Sequence, residues 1–433
     1  MYTSTQPATN KTQSTMSSVP VVTLSSASAE RIMPRIEQLA TFSESAEGLT
    51  RQFASAEHRQ ANDLVANWMT DAGMQVHEDA IGNIIGRYVP QNTGASAPAI
   101  VLGSHLDTVI NAGRFDGMLG VVSALAVVET LVQSQLLLPY AIEVIGFADE
   151  EGVRYQSTYL GSRAITGDLN DAVLGRKDKN DILFTDALEA FGKCAKDLPT
   201  AKRQPEEIRA YVELHIEQGP VLEQKNVPVG VVTAIAGANR MVVRLTGLAG
   251  HAGTVPMHLR RDALAAAALC IHEVERACSG RDDLVGTVGS IEALPGAGNV
   301  IPGEVKFTVD VRAAQDCVRH DTVEHIIVKM QALCERRKIE LNIDHVHEAA
   351  SVNCDHKIAE HMSAAITGLD HPVVRLPSGA GHDAAAMAKL SPVGMLFVRC
   401  KGGVSHHPDE SVSTSDAISG ANALLGTVLR LCQ

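Results

Sequence analysis

Aromatic residues make up 3% of this 433-residue chain, and Trp68 is its only tryptophan. Broad stacking surfaces are therefore not expected. Basic residues are also short, 37 against 50 acids, giving a formal net charge of −13. A phosphate-binding face needs concentrated Lys and Arg, so nucleic acid is excluded as the partner. An acidic balance serves solubility and still permits a local positive pocket for a small anion. The eight cysteines (Cys194, Cys270, Cys278, Cys317, Cys334, Cys354, Cys400, Cys432) include no CxxC pair. Scattered through a large chain, they read as reduced thiols of a cytoplasmic protein. No apolar run is long enough to span a bilayer, and no G-x-S-x-G elbow points to a serine hydrolase. Residues 1–29 are rich in Ser and Thr, with Lys11 their only base, and Pro20 interrupts their one apolar patch. They read as a disordered leader.

The chain as a whole is 45% hydrophobic, ample for two domains. Helical periodicity begins near Ala29, and residues 57–73 form an amphipathic helix stopped by Gly73. Apolar runs at 99–107 and 141–148 flank an apolar helix at 118–133. Strand, helix, strand in that style predicts an α/β sheet with covered faces. After a strand at 211–216 the character changes. Strand 240–250, helix 260–278, strands 284–294 and 304–313, helix 316–338 and strand 339–348 spell β-α-β-β-α-β, a self-contained two-layer unit. The expected organisation is a catalytic domain in two parts, 30–225 and 347–433, with an inserted domain at 226–346.

Polar motifs punctuate the strand ends. In GSHLDT (103–108), His105 and Asp107 share one side of an extended chain. A metal-binding histidine needs an acceptor on its second nitrogen, which a carboxylate supplies. Asp116, in GRFDG (113–117), either bridges two cations or caps the helix that follows. The strand at 141–148 runs into three consecutive acids, Asp149, Glu150 and Glu151, at the edge where open α/β sheets place their ligands. Glu150 and Glu151 point in different directions, so one can ligate while the other moves a proton. His215 ends another strand, and His406 or its neighbour His407 follows a third. Imidazole and carboxylate without cysteine suits Zn²⁺, with Mn²⁺, Co²⁺ or Ni²⁺ as alternatives. In the inserted domain, His251, Asn299 and Arg312 interrupt apolar or glycine-rich stretches. Arg312 suits a fork for a substrate carboxylate, or a plain salt bridge. His251 is a candidate donor to a developing oxyanion.

Seven segments, GSHLDTVINAGRFDG, FADEEG, YVELHIEQG, GHAGTVPM, GNVIPG, SGAGHDA and VSHHPDE, occur in order from Arg31 onward. Together they resemble the hydantoinase/carbamoylase branch of the zinc aminopeptidase superfamily. That branch holds allantoate amidohydrolases, N-carbamoyl-L-amino-acid hydrolases and β-ureidopropionases. The resemblance implies a zinc-aminopeptidase-like catalytic domain with an inserted ferredoxin-like domain that serves as lid and dimer interface. It implies two divalent cations per subunit, with His105 and His215 on one, Glu151 and His406 on the other, and Asp116 between them. Glu150 becomes the general base and Asp107 the residue that orients the first site. Gln218, His251, Asn299 and Arg312 become the substrate contacts, the last three delivered from a neighbouring subunit in a homodimer. Ile110, Gly250, His407 and Asp409 depart from common choices in the family, and none of them removes a ligand.

The expected reaction is attack of an activated water on a ureido carbon. Glu150 takes the water's proton and later returns one to the departing ammonia. A dipeptidase or aminoacylase would use the same ligands on a different acyl group. A retired scaffold that only binds would lack a base or a ligand, and every position is filled here.

Overall fold

The computed structural model describes residues 21–91 and 93–433. Of the expected leader, residues 1–20 lie outside the described residues, while Ser26 to Ala29 open the first helix, Ser26–Leu39, whose N-terminus is capped by Ser25.

Two sheets organise the chain. The first contains β1 (Gln75–Glu78), β2 (Ile84–Tyr88), β3 (Ala99–His105), β4 (Ala141–Phe147), β5 (Ile208–Ile216) and β6 (Val229–Ile235). The chain leaves it for β7 (Gly237–Thr246), β8 (Gly250–His251), β9 (Leu284–Thr287), β10 (Ile291–Leu294), β11 (Val300–Ile301), β12 (Glu304–Ala313) and β13 (Glu340–Ala349). It then returns as β14 (Val352–Asn353), β15 (Val374–Ser378) and β16 (Val393–Val398). In the large sheet the order is β1-β2-β4-β3-β5-β16-β6-β14, with β15 also on β6. The central strands β4, β3, β5 and β16 are mutually parallel. Their carboxyl ends therefore open on one edge, which is where such sheets bind ligands.

These strands are buried almost throughout and mostly apolar because both faces are covered. Helices Ser26–Leu39, Met118–Ser134 and Thr414–Leu431 contribute to the core on one face, and Ile165, Leu376 and Met387 to that on the other. Helix Met118–Ser134 lies close to the sheet at Gly120, where a Cβ would collide with the Leu214 carbonyl and the Ser104 side chain. Residues 153–207, which carry no strong periodicity, fold into short helices around a small core that includes Phe53, Tyr155, Phe184 and Phe191.

The smaller sheet runs β10-β12-β7-β13, with β9 also on β12. Helices Ala263–Cys278 and Asp316–Arg337 contribute to its core, so β12 alternates strictly: Val305, Phe307, Val309 and Val311 are buried while Thr308, Asp310 and Arg312 face outward. The single strand expected at 284–294 is two strands. The chain breaks at Val288–Ser290, where Ser290 exchanges hydrogen bonds with Thr308, and β9 and β10 pair with opposite ends of β12. The strand expected to reach residue 250 stops at Thr246, and Gly250–His251 instead pairs with Val300–Ile301 as a separate ribbon.

Gly120→Ala should cost about 1–3 kcal/mol of stability, because helix and strand would have to separate to admit one methyl group. Urea denaturation monitored by circular dichroism measures this, and an unchanged midpoint would refute the close contact.

Candidate metal centre

The expected ligands come together at the carboxyl edge of the central strands. His105 ends β3, His215 lies one residue before the end of β5, and the acidic run 149–151 follows β4. All are at least nine-tenths buried except Glu151, which is partly exposed. Asp116 enters from the loop after β3. It does not cap the following helix: that position is Gly117, with φ 74° and no side-chain bond. A Cβ on Gly117 would stand 2.6 Å from the His105 ring, so only glycine lets the loop approach the imidazole this closely.

The decisive feature is where the lone pairs point. His105 Nδ1 faces the Asp107 carbonyl at 3.0 Å, and His215 Nδ1 faces the Ile216 carbonyl at 3.0 Å. Each carbonyl can only accept, so each Nδ1 carries the proton. The two Nε2 atoms then face each other at 3.5 Å and share Asp116 Oδ1, at 3.5 Å from His105 and 3.1 Å from His215. Asp116 Oδ2 faces His406 Nε2 at 3.1 Å, which in turn lies 3.4 Å from Glu151 Oε1. Converging acceptors of this kind need positive charge between them. The side chains thus form two adjoining metal-binding clusters, His105–Asp116–His215 and Asp116–Glu151–His406, with Asp116 common to both. A third group, His105–Glu150–Glu151, places Glu150 beside them. His407, the alternative to His406, is exposed and turns to Asp409.

Electrostatics agree with the geometry. Burial, reinforced by the neighbouring Glu151, pushes Glu150 well above the ordinary carboxylate range. Burial and the Asp116 charge push Glu151 up to about 7. For Asp116 burial works in the same direction, but hydrogen bonds with His105, His215 and His406 outweigh it and hold it well below its usual value. For His105 burial disfavours the cation, yet Asp107 and Asp116 win and push the imidazole well above its usual range. The pocket draws positive charge to this spot.

Asp107 accepts the backbone N–H of Glu150 at 2.9 Å and of Glu151 at 3.2 Å, which fixes the acidic run against β3. Gln218 and His406 both hold left-handed backbone, φ 56° and 55°, uncommon for such side chains and typical of functional sites. The Gln218 amide donates to Asp116 Oδ2 at 3.1 Å and to Ser405 Oγ at 3.0 Å.

The inserted-domain residues are placed differently. Arg312 forks onto Asp310 through Nε at 3.1 Å and Nη2 at 2.9 Å, while Nη1 reaches the Gly379 carbonyl of the large domain at 2.8 Å. Both readings of Arg312 therefore keep support: it makes a salt bridge and also lines, with Gln218, a cleft of ≈ 750 Å³ between the two sheets. His251 and Asn299 are exposed on the β8–β11 ribbon. Among the described residues, their hydrogen bonds stay within that ribbon and its turn and do not reach the metal-binding clusters.

Several site residues went unassigned in the sequence. Glu213 is fully buried and accepts from Ser104 Oγ, Tyr211 OH and the Ala384 N–H. An acid inside an otherwise apolar strand, two residues from His215, was its available signal. His382, bonded to Ser378 Oγ at 2.8 Å, packs edge-on against His215 with ring centroids 4.5 Å apart. Glu410, the last residue of VSHHPDE, is 3% exposed and binds the backbone of Phe115 and Asp116.

The chain matches the sequence model of peptidase family M20/M25/M40 over residues 101–430. It is 41% identical over 405 residues to an N-carbamoyl-L-amino acid amidohydrolase of Geobacillus stearothermophilus, covering 93% of this chain and 98% of that one. It is 40% identical over 427 residues to allantoate deiminase 1 of Glycine max, covering 92% and 88% respectively. The crystal structure of a hydantoinase/carbamoylase family amidase from Burkholderia multivorans superposes with a TM-score of 0.88 at 29% identity, covering 95% of this chain and 99% of that one.

Below about pH 7 the folded chain holds a proton on Glu151, which an incoming cation must displace. Zinc affinity of chelator-stripped protein should therefore fall as pH is lowered from about 8 to about 6, with release of protons. Isothermal titration in buffers of different ionisation enthalpy reads both effects. Affinity independent of pH would contradict the assignment.

Proposed function

Since the chain belongs to peptidase family M20/M25/M40, in its hydantoinase/carbamoylase branch, we propose that it is a metal-dependent amidohydrolase of small ureido acids. It cleaves the terminal ureido C–N bond of an N-carbamoyl-L-amino acid or of allantoate, releasing ammonia and carbon dioxide. The observation that carries this reading is the convergence of two imidazole lone pairs and a doubly engaged carboxylate, Asp116, beside a free acid, Glu150. The N and O donor set fits Zn²⁺ first, with Mn²⁺, Co²⁺ or Ni²⁺ possible. His105, His215 and Asp116 would hold one cation, and Asp116, Glu151 and His406 the other. When bound, the pair supplies positive charge that polarises a carbonyl and makes water acidic near neutral pH.

The chain's own groups do the rest. Glu150 is not needed as a ligand in either cluster, and its raised proton affinity suits a general base. It accepts the proton of the attacking water. It then hands that proton to the terminal nitrogen as the C–N bond breaks and ammonia leaves. The remaining N-carboxylate loses carbon dioxide, leaving an amino acid, or a ureidoglycine from allantoate. Asp107 keeps Glu150 and Glu151 in place through their backbone N–H groups. Arg312, delivered like His251 and Asn299 from the lid of a second copy, meets the substrate carboxylate, and Gln218 contacts the ureido end from the site itself. Holding both ends of the substrate sets the carbonyl within reach of the water.

His251 and Asn299 complete the site from the lid of a second copy, His251 as donor to the oxyanion and Asn299 beside the substrate. Their ribbon faces outward, and nearby Leu248, Met257 and Leu259 are 61%, 77% and 62% exposed, apolar surface suited to a homodimer. Among the described residues no helix is long and apolar enough to cross a membrane. The eight free cysteines suit the cytoplasm.

Glu150→Gln should retain its cations and lose at least about 10²–10⁴-fold in turnover. Ammonia release measured on allantoate, N-carbamoyl-β-alanine and N-carbamoyl-L-amino acids is the direct assay. Amino-acid release from dipeptides with no ammonia from these compounds would instead favour a peptidase. Mixing inactive Glu150→Gln with inactive His251→Ala should restore up to about a quarter of wild-type activity through heterodimers with one intact site. No recovery after subunit exchange would mean that each chain supplies its own His251.

A further inference from the structure

Glu410 takes no part in the reaction as derived, yet it joins two loops that carry proposed ligands. Its Oε1 accepts the N–H of Phe115 at 2.8 Å and of Asp116 at 3.1 Å. Its Oε2 accepts the hydroxyl of Ser405 at 3.1 Å, and Ser405 immediately precedes His406. The same hydroxyl lies 3.3 Å from Asp116 Oδ2. Gly113 completes the seat, since a Cβ there would collide with the Glu410 carboxyl group. A 3% exposed acid with both oxygens engaged thus spans 295 residues of sequence to fasten the 113–117 loop to the 405–410 loop.

The two clusters depend on this fastening unequally. His105 and His215 are on β3 and β5, hydrogen-bonded into the middle of the sheet, and Glu410 does not bond to either. Asp116 and His406 stand on loops without that support. His406 also holds left-handed backbone, which surrounding contacts must maintain.

We propose that Glu410 is a positioning residue that locks the Asp116 loop to the His406 loop and so sets the geometry of the Asp116–Glu151–His406 cation, leaving the His105–His215 cation largely to the sheet. This rests on the reading of Asp116 and His406 as ligands. What is required of Glu410 is acceptor geometry. In Glu410→Gln the side-chain carbonyl still accepts both backbone N–H groups, and the amide can donate to Ser405 Oγ. In Glu410→Ala nothing replaces them. Gly113→Ala reaches the same end from the other side, by pushing the carboxyl group off its seat.

The test follows release of zinc from the loaded protein into a chromogenic chelator, counted in equivalents per chain. In Glu410→Ala and Gly113→Ala one of the two equivalents should bind about 10–100-fold more weakly, the range typical when a ligand's hydrogen-bonded support is removed. The other equivalent shares Asp116 but keeps His105 and His215 on the sheet, so it should weaken clearly less, and Glu410→Gln should retain both. The proposal is overturned if Gly113→Ala holds both cations like wild type, if both equivalents weaken to the same extent, or if Glu410→Gln behaves like Glu410→Ala. Gly113→Ala and Glu410→Gln decide the matter even if Glu410→Ala does not fold. His406→Ala separates this failure from that of the ligand reading. If it keeps two wild-type equivalents, His406 is not a ligand; if it loses one while Glu410→Ala and Gly113→Ala lose none, only the Glu410 proposal falls.

Discussion

One carboxylate holds the site together. Asp116 presents Oδ1 to two imidazoles delivered by the sheet and Oδ2 to a third delivered by a loop near the C-terminus. Its negative charge in a buried pocket is offset by the flanking His105, His215 and His406, and would be offset further by the cations they would hold. Much of the surrounding architecture serves that arrangement. The parallel strands bring His105 and His215 to one edge, and backbone carbonyls turn their Nε2 atoms inward. Gly117 lets the loop close on the imidazole, and Asp107 ties the acidic run of β4 to the end of β3. The crowd of buried acids, Asp107, Asp149, Glu150, Glu213 and Asp383, is explicable as the counterpart of two divalent cations and as structural support for their ligands.

Much of this was legible in the sequence because the ligands stand where periodicity stops. Each of GSHLDT, FADEEG and YVELHIEQG is an apolar run ending in imidazole or carboxylate, and a parallel strand has to end at the functional edge. The β-α-β-β-α-β order of the inserted domain was equally visible, since its strands alternate and its helices are long. Other features had no local signal. Whether Asp116 caps a helix or enters the site depends on the backbone angle of Gly117, and the choice of His406 over His407 on a left-handed turn. The break between β9 and β10 depends on Ser290 pairing with Thr308, a contact across 18 residues. Glu410 looked like one more acid in a polar loop because its partners, Phe115 and Asp116, are almost three hundred residues away.

The division of labour between the domains explains why the ligands and the substrate are specified so differently. The large sheet positions His105 and His215, each with its Nδ1 bonded to a backbone carbonyl, as a rigid site requires. The lid offers a half-exposed arginine, steadied by Asp310, and a ribbon bearing His251 and Asn299 that faces outward. On the proposed function, reaction type is set at the buried edge, whereas choice among ureido acids falls to the more exposed lid surface that bears Arg312, His251 and Asn299. Relatives named for N-carbamoyl-amino acids and for allantoate share nearly equal identity with this chain, as that arrangement would allow.

The most direct test of the account is crystallographic. Crystals grown with zinc, with data collected on both sides of its absorption edge, should show two anomalous peaks about 3.5–4 Å apart, one on each side of the Asp116 carboxylate. A single peak, or peaks that leave Asp116 without a cation on either oxygen, would contradict the claim that this residue organises the site.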